Sequence, residues 1–307
     1  MHFPYANIAR EFLDGKTKRA KVPVLAAPVI GPRMADVCWD HGWGWFDLAG
    51  NVRISVPGIL YLERQGDESK EARPPVRANL STHASARIIR ILLDPENAHR
   101  EWSQLDLNLH VGDLKNPEGL TPPSLGLVNK VVRKLIDGAF LTETERGVKV
   151  ADAASLLKAW TDVYRFDHQQ FSYFTLLKGP ALRSALAQLE SVSGGHAAYA
   201  SFSAAERLAP SVRQPKTWLY VADRHLNDFA RLAEAKVVDS GANLTVLLPR
   251  DDGVFYGQRG GSGDLAWTGP VQTYVDLRHS GGRGEEAAEA ILEMQLKPAW
   301  LQGGILK

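Results

Sequence analysis

The chain carries one cysteine, Cys38, among 307 residues. A single thiol excludes an internal disulfide and any zinc site built from several cysteines, and it fits a reducing cytoplasm. Cys38 has no activating partner nearby in sequence, so it is expected to fill a core helix. No apolar run approaches the roughly 18 residues of a membrane span. The start, Met1-His2-Phe3-Pro4-Tyr5, lacks a basic segment followed by an apolar one, so no signal peptide is expected there. Charge of either sign is not in excess: 36 Lys and Arg stand against 35 Asp and Glu, a formal +1. Any nucleic-acid surface must therefore be a local patch. The nine histidines are scattered without ligand spacing, and no glycine-rich phosphate loop with its lysine is present. Neither a metal nor a cofactor is expected. The length suits two or three domains.

What the chain does have is a patterned segment from Arg87 to Asp152. It reads as a short helix (Ala86 to Leu93), a second (about Arg100 to Leu109) and a third opening at Thr121-Pro122-Pro123-Ser124. In the third, Thr121 is expected to cap and Pro122 to take the first helical position. Val128, Val131, Val132 and Leu135 recur at helical spacing and face inward. Ser124, Asn129, Lys130, Arg133 and Lys134 are left on or near the outer face. Asp137-Gly138 ends the helix. A hairpin follows, from Phe140-Leu141 through Gly147-Val148-Lys149-Val150, with its tip at Glu143 to Gly147. Three helices and a small hairpin outline a winged helix-turn-helix over residues 76–160, a module that docks on double-stranded DNA. Short polar groups at Ser124 and Asn129, with Lys130, suit base edges; Arg133, Lys134 and Arg146 suit phosphates. Five cations from Thr121 to Lys149 stand against three acids. A basic outer face is also what a merely solvated helix shows, so an adaptor that never touches DNA is the competing reading.

Residues 1–75 read as a small α/β domain. Ile8 to Leu13 suits a helix, and Lys16, Lys18, Arg19 and Lys21 lead to a strand at Val22 to Ala27. Gly31-Pro32 opens a helix over Arg33 to His41, stopped by Gly42. Trp43 to Asp47, Asn51 to Val56 and Ile59 to Glu63 read as strands. Asp47 and Glu63, placed on adjacent strands, would be a carboxylate pair able to hold Mg²⁺ for phosphodiester hydrolysis. Glu63 is followed by Arg64-Gln65, however, and not by the lysine such nucleases carry one residue on. A structural or binding remnant of a nuclease-like domain is therefore the main reading, and a metal-dependent nuclease the alternative. Residues 64–80 are charged and proline-rich, the mark of a linker.

Residues 161–307 read as a C-terminal α/β domain, which gives an α+β multidomain chain. A helix at Asp152 to Tyr164 passes the chain into it. Strands are expected at Phe171 to Leu177, Ala197 to Phe202, Thr217 to Val221, Lys236 to Asp239 and Asn243 to Pro249, with Asp251 to Tyr256 continuing the strand-rich run. Helices are expected from Gly179-Pro180, from a capping box at Ser203 to Glu206, over Leu226 to Ala235, from Pro270 and over Gly284 to Gln295. Asp239, Asp251, Asp252 and Asp276, with Arg259, Arg283 and His279, show no catalytic spacing, so no enzyme is expected here.

Ser240-Gly241-Ala242-Asn243-Leu244, Asp252-Gly253-Val254-Phe255-Tyr256, Pro270 to Leu277 and Gly282 to Ala288 resemble the C-terminal domain of AbiEi-type antitoxins of type IV toxin–antitoxin systems. Trp45 to Asn51 is similar to an N-terminal segment of some larger relatives. The resemblance implies a winged helix that binds the operator of its own genes, with Asn129, Lys130, Arg133 and Lys134 as the DNA-facing set. It implies a C-terminal domain acting in antitoxicity against a nucleotidyltransferase-like toxin, without a stable complex. The extra N-terminal domain and the long turn at Gly112 to Gly119 depart from the simplest antitoxin plan. Dimeric binding to inverted half-sites and asymmetric binding by a monomer are both compatible with the sequence.

Overall fold

A computed structural model describes residues 22–27, 30, 32–48, 50–65, 80–112 and 123–306. The helix expected at Ile8 to Leu13, the basic stretch after it, most of the linker and most of the 112–119 turn lie outside these residues. The chain divides into two compact units, residues 1–76 and 77–307.

In the first unit, β1 (Val24–Ala27), α1 (Pro32–Asp40), β2 (Gly44–Asp47), β3 (Val52–Val56) and β4 (Leu60–Arg64) follow one another. The sheet order is β1-β2-β3-β4, parallel between β1 and β2 and antiparallel thereafter. A helix returning the chain between parallel neighbours is the usual crossover. Cys38 lies buried on α1, and burial pushes its thiol pKa up. Asp47 and Glu63 sit on β2 and β4, with β3 between them, so the expectation of adjacent strands is corrected.

The second unit opens with three helices, α2 (His83–Leu93), α3 (Gln104–Gly112) and α4 (Leu125–Asp137), and a hairpin of β5 (Leu141–Thr144) and β6 (Gly147–Val150). α2 starts three residues before the expected Ala86, because the Thr82 hydroxyl accepts from Ser85 N and caps it. Residues 100–103 are extended and not helical. Trp102 exchanges both backbone hydrogen bonds with Val148 (2.9 Å each), adding a third short segment to the hairpin. α4 starts at Leu125, where Ser124 is the cap and accepts from Leu127 N at 3.2 Å; Thr121 and Pro122, expected to open it, lie outside the described residues.

After α5 (Ala153–Thr161), a five-stranded sheet forms from β7 (Gln169–Phe174), β8 (Ala197–Tyr199), β9 (Thr217–Val221), β10 (Lys236–Val237) and β11 (Leu244–Leu248), in the order β10-β7-β11-β9-β8. Only β11 and β9 run parallel. α6 (Gly179–Ser193) and α8 (Leu226–Leu232) pack Leu186, Leu189 and Phe229 against strand residues Tyr173, Leu219 and Val246. α7 (Ser201–Leu208), α9 (Pro270–His279), α10 (Gly284–Ile291) and α11 (Lys297–Gln302) complete the unit.

Three expectations in this half are corrected. The capping box at Ser203 is not used: the chain turns into α7 at Ser201, whose φ is 44°, and the Ser203 hydroxyl instead accepts from Trp218 N at 2.9 Å. Asp251 to Tyr256 is not a strand, because the Asp251 carboxylate accepts from Gly253 N at 2.8 Å and folds residues 252–255 into a 3₁₀ turn. The helix after Gly284 also runs past Gln295. It loosens to π geometry over Leu292–Leu296 before α11, where Pro298 has no N–H for the carbonyl four residues back.

One apolar core joins the helices and hairpin to the C-terminal helices. Ile88, Leu92, Leu107, Val131, Leu135, Leu156 and Trp160 belong to the same buried cluster as Val275, Ile291, Trp300 and Ile305. Trp300 Nε1 donates to the carbonyl of Leu93 (2.9 Å), and Ala153 N donates to that of Ile305 (2.8 Å). The last turns of the chain are thus pinned onto α2 and α5. No helix among the described residues is long and apolar enough to cross a membrane.

Candidate nucleic-acid interface and the contacts behind it

α4 is amphipathic in the way its sequence predicts. Val128, Val131, Val132 and Leu135 are buried, while Lys130, Arg133, Lys134 and Asp137 are exposed. Spacings of three and four place Lys130, Arg133 and Lys134 side by side on one face. Lys134 in the last turn also meets the negative end of the helix dipole. Asn129 sits on the flank of that face and is half-buried, with its Oδ1 enclosed and without a hydrogen-bond partner among the described residues. Ser124 is exposed, but its hydroxyl is occupied as the cap.

The hairpin tip is Glu145-Arg146. Arg146 is exposed, and its backbone N donates to Thr144 Oγ1 at 3.3 Å. Thr144 in turn donates to Glu101 at 3.1 Å. Glu143 and Glu145 are exposed beside Arg146, so the tip is mixed in charge. Gly147 determines how the hairpin seats. A Cβ there would lie 2.1 Å from the Trp102 carbonyl oxygen, and its φ is 141°. Arg100 lies exposed with its guanidinium 3.9 Å from the centre of the Trp102 ring. Neither contact is visible in sequence patterning; the bridge from Trp102 is a long-range pairing of a single residue.

Behind the α4 face, two arginines on α2 and Asp94, which follows its last residue, reach the C-terminal part. Arg87 binds Asp251 through Nε (2.8 Å) and Nη2 (2.5 Å). Arg90 Nε donates to Gln272 Oε1 at 2.6 Å, and its guanidinium lies 5.2 Å from the Trp160 ring centre. Asp94 accepts from Arg259 Nη2 at 2.9 Å. Burial raises the pKa of Asp94, and the charge of Arg259 offsets this in part. At Asp251 burial also works upward, but hydrogen bonds and charge from Arg87 and Arg90 outweigh it and hold the carboxyl below its ordinary value. A spacing of three puts Arg87 and Arg90 on one side of α2, and Asp94 follows at its end.

Arg90 leads to a buried polar cluster that the sequence did not single out as a group. Asp276 Oδ1 accepts from Tyr164 (3.1 Å), Tyr220 (3.0 Å) and Gln272 Nε2 (2.7 Å). Burial lifts the Asp276 pKa to about 7, against those three hydrogen bonds and Arg90. His168 Nε2 lies 3.1 Å from the Tyr164 hydroxyl, and burial lowers its pKa to about 4. The signal of the cluster in sequence is slight: Gln272 and Asp276 stand four apart on one helix, Pro270–His279.

Asp47 and Glu63 are not brought together. Two strand spacings and two residues along the strand separate them by about 12 Å, well beyond a shared two-metal site. Asp47 is buried and caps its own turn, accepting from Asn51 N (3.0 Å), Asn51 Nδ2 (3.0 Å) and Ile30 N (3.2 Å). Glu63 lies 3.5 Å from Arg53 and accepts from Tyr61. No group of three or more His, Cys, Asp or Glu among the described residues is placed to hold a metal ion.

Residues 149–297 match the family model described as transcriptional regulator, AbiEi antitoxin, type IV TA system. The match begins in β6 and ends at the start of α11, so it takes in the end of the hairpin, the five-stranded sheet and the helices that cover it. No curated protein and no solved structure matches the chain.

Proposed function

We propose that the protein is a sequence-specific DNA-binding transcriptional regulator, an antitoxin-like autorepressor of a type IV toxin–antitoxin system. In this reading residues 76–160 are a winged helix-turn-helix and residues 161–307 the antitoxin-type domain. One observation carries the DNA-binding part: Lys130, Arg133 and Lys134 stand exposed on the third helix of the bundle, next to a hairpin seated by Trp102. The family match over residues 149–297 supports the regulator and antitoxin part.

The mechanism is non-covalent. α4 enters the major groove with its N-terminal half, so Asn129 and Lys130 are nearest the bases. Arg133, Lys134 and, from the hairpin, Arg146 approach the backbone. Ser124, exposed at the start of α4, belongs with Asn129 and Lys130 on the base-facing side. The partners are duplex DNA near the protein's own gene and a nucleotidyltransferase-like toxin opposed by residues 161–307. An adaptor reading has one observation in its favour: Leu125 and Leu127 are exposed on the first turn of α4.

The test is binding of the purified chain to duplex from upstream of its own gene, beside a scrambled duplex, at two salt concentrations. Selective binding that weakens steeply with salt supports the regulator. Binding to neither duplex under conditions where the protein is folded favours the adaptor.

A further inference from the structure

Asp276 is fully buried on α9, and its two oxygens are treated unequally. Oδ1 receives three donors, while Oδ2 is enclosed without any among the described residues. Arg90, 4% exposed on α2, is left in a matching state: Nε is bonded to Gln272, and Nη1 is enclosed without an acceptor among the described residues. A buried acid and a buried base thus face one cluster but are joined only through the amide of Gln272. That amide is orientated by the carboxylate together with the Tyr164 hydroxyl: with Nε2 donating to Asp276 (2.7 Å) and to Tyr164 (2.9 Å), Oε1 is presented to Arg90. An unpartnered buried polar atom is costly, and so is a buried charge without its counter-charge. An arrangement with both is poised for rearrangement when one charge is removed.

We propose that Asp276, Gln272 and Arg90 form a proton-sensitive latch between α2 of the helix bundle and α9 over the C-terminal sheet. With Asp276 ionised, the negative oxygen fixes the Gln272 amide and, through it, the Arg90 guanidinium. A proton taken from solvent on the carboxylate removes that charge. The amide then loses its charged acceptor and is held on that side by the Tyr164 hydroxyl, and Arg90 loses one of the two carboxylates it acts on, Asp251 remaining, so its guanidinium shifts against Trp160. The groups facing Asp276 are few. α2 supplies Arg90, the segment before β7 supplies Tyr164 and His168, and β9 supplies Tyr220. On α9 itself, His279 Nε2 lies 3.0 Å from the Thr161 carbonyl, and its ring is 5.6 Å from that of Tyr164. α10 offers Glu285 to Arg278, on the exposed side of α9; α7 offers Ser201 to Ser280 and turns Arg207 to Asp264; and Asp251, before the 3₁₀ turn, lies within reach of the charge of Arg90. His168 is held neutral above about pH 4 by burial, so it does not compete near neutrality, where Asp276 titrates with a pKa of about 7.

The latch is tested without DNA. Trp160 is buried and touches both Arg90 and Tyr164, so a fluorotryptophan-labelled full chain, with the Trp160 resonance assigned by Trp160→Phe, reports the cluster by ¹⁹F NMR. Between pH 5.5 and 8.5 that resonance should move in one step, with a midpoint near neutrality. Asp276→Asn should abolish the step, and His279→Gln should leave its midpoint in place. Tyr220→Phe removes one donor to the carboxylate and should move the midpoint to higher pH; this decides the matter if Asp276→Asn does not fold. A Trp160 resonance that does not move with pH, a step that survives Asp276→Asn or vanishes with His279→Gln, or an unmoved midpoint in Tyr220→Phe would overturn the latch.

Discussion

Arg87 grips Asp251 with two nitrogens across 164 positions of sequence, and both side chains are almost wholly buried. The pair ties the first helix of the bundle to the 3₁₀ turn that Asp251 itself caps. Breaking a buried pair strands one charge. Arg87→Ala should therefore cost about 3 kcal/mol of unfolding free energy, far more than an exposed pair such as Lys158–Asp162, worth well under about 1 kcal/mol. Chemical denaturation of the two variants Arg87→Ala and Lys158→Ala measures the contrast; equal losses would contradict it.

Gly147 is a second lock. Its missing side chain lets the Trp102 carbonyl approach, and its φ of 141° is unfavourable for any other residue. Gly147→Ala should destabilise by about 2 kcal/mol or more, from overpacking together with backbone strain. Gly58 also has positive φ, but open space around its would-be Cβ, so Gly58→Ala should cost less. Thermal melts of both variants check the order.

The buried acid and imidazole pull stability in opposite directions with pH. Asp276 has a raised folded pKa, about 7 against an ordinary 3.8, so the folded state holds its proton more tightly. Its contribution is full below about pH 4 and is lost as pH rises to about 7. His168 has a lowered folded pKa, about 4 against 6.5, and its contribution is lost as pH falls between those values. The two offset each other over most of that window. Asp276→Asn removes one side of the balance. The stability of the wild type minus that of Asp276→Asn should rise as pH falls from 7 to 4, and a flat difference by denaturation would refute the assignment.

Asp47 holds a turn, so Asp47→Ala should loosen the first unit, by about 1–2 kcal/mol for its lost backbone and side-chain acceptor role. Limited proteolysis would show cleavage within residues 22–65 while residues 80–306 stay intact. A variant as resistant as the wild type would contradict that role.

The helix that carries the candidate interface was readable because its burial repeats locally: Val128, Val131, Val132 and Leu135 lie on one face, and exposed Lys130, Arg133 and Lys134 fall where the period puts them. The hairpin was readable for the same reason, and its register brings Leu141 opposite Val150. Where long-range contacts compete with local signals, the reading shifted. Residues 100–103 are drawn out by pairing with Val148, Ser203 is taken by Trp218, and Asp251 folds a turn where a strand was expected. The contacts of α2 could not be read at all, because Arg90 and Gln272 are 182 positions apart and nothing local marks either one.

The DNA-facing assignment is tested most directly by Lys130→Ala/Arg133→Ala. Both side chains are exposed, so the variant should fold as the wild type does. Affinity for duplex from upstream of the protein's own gene should fall, and the slope of log affinity against log salt should drop by about 1, for the lost backbone cation Arg133. A folded double variant that binds this duplex with unchanged affinity and unchanged salt slope would contradict the placement of α4 on DNA.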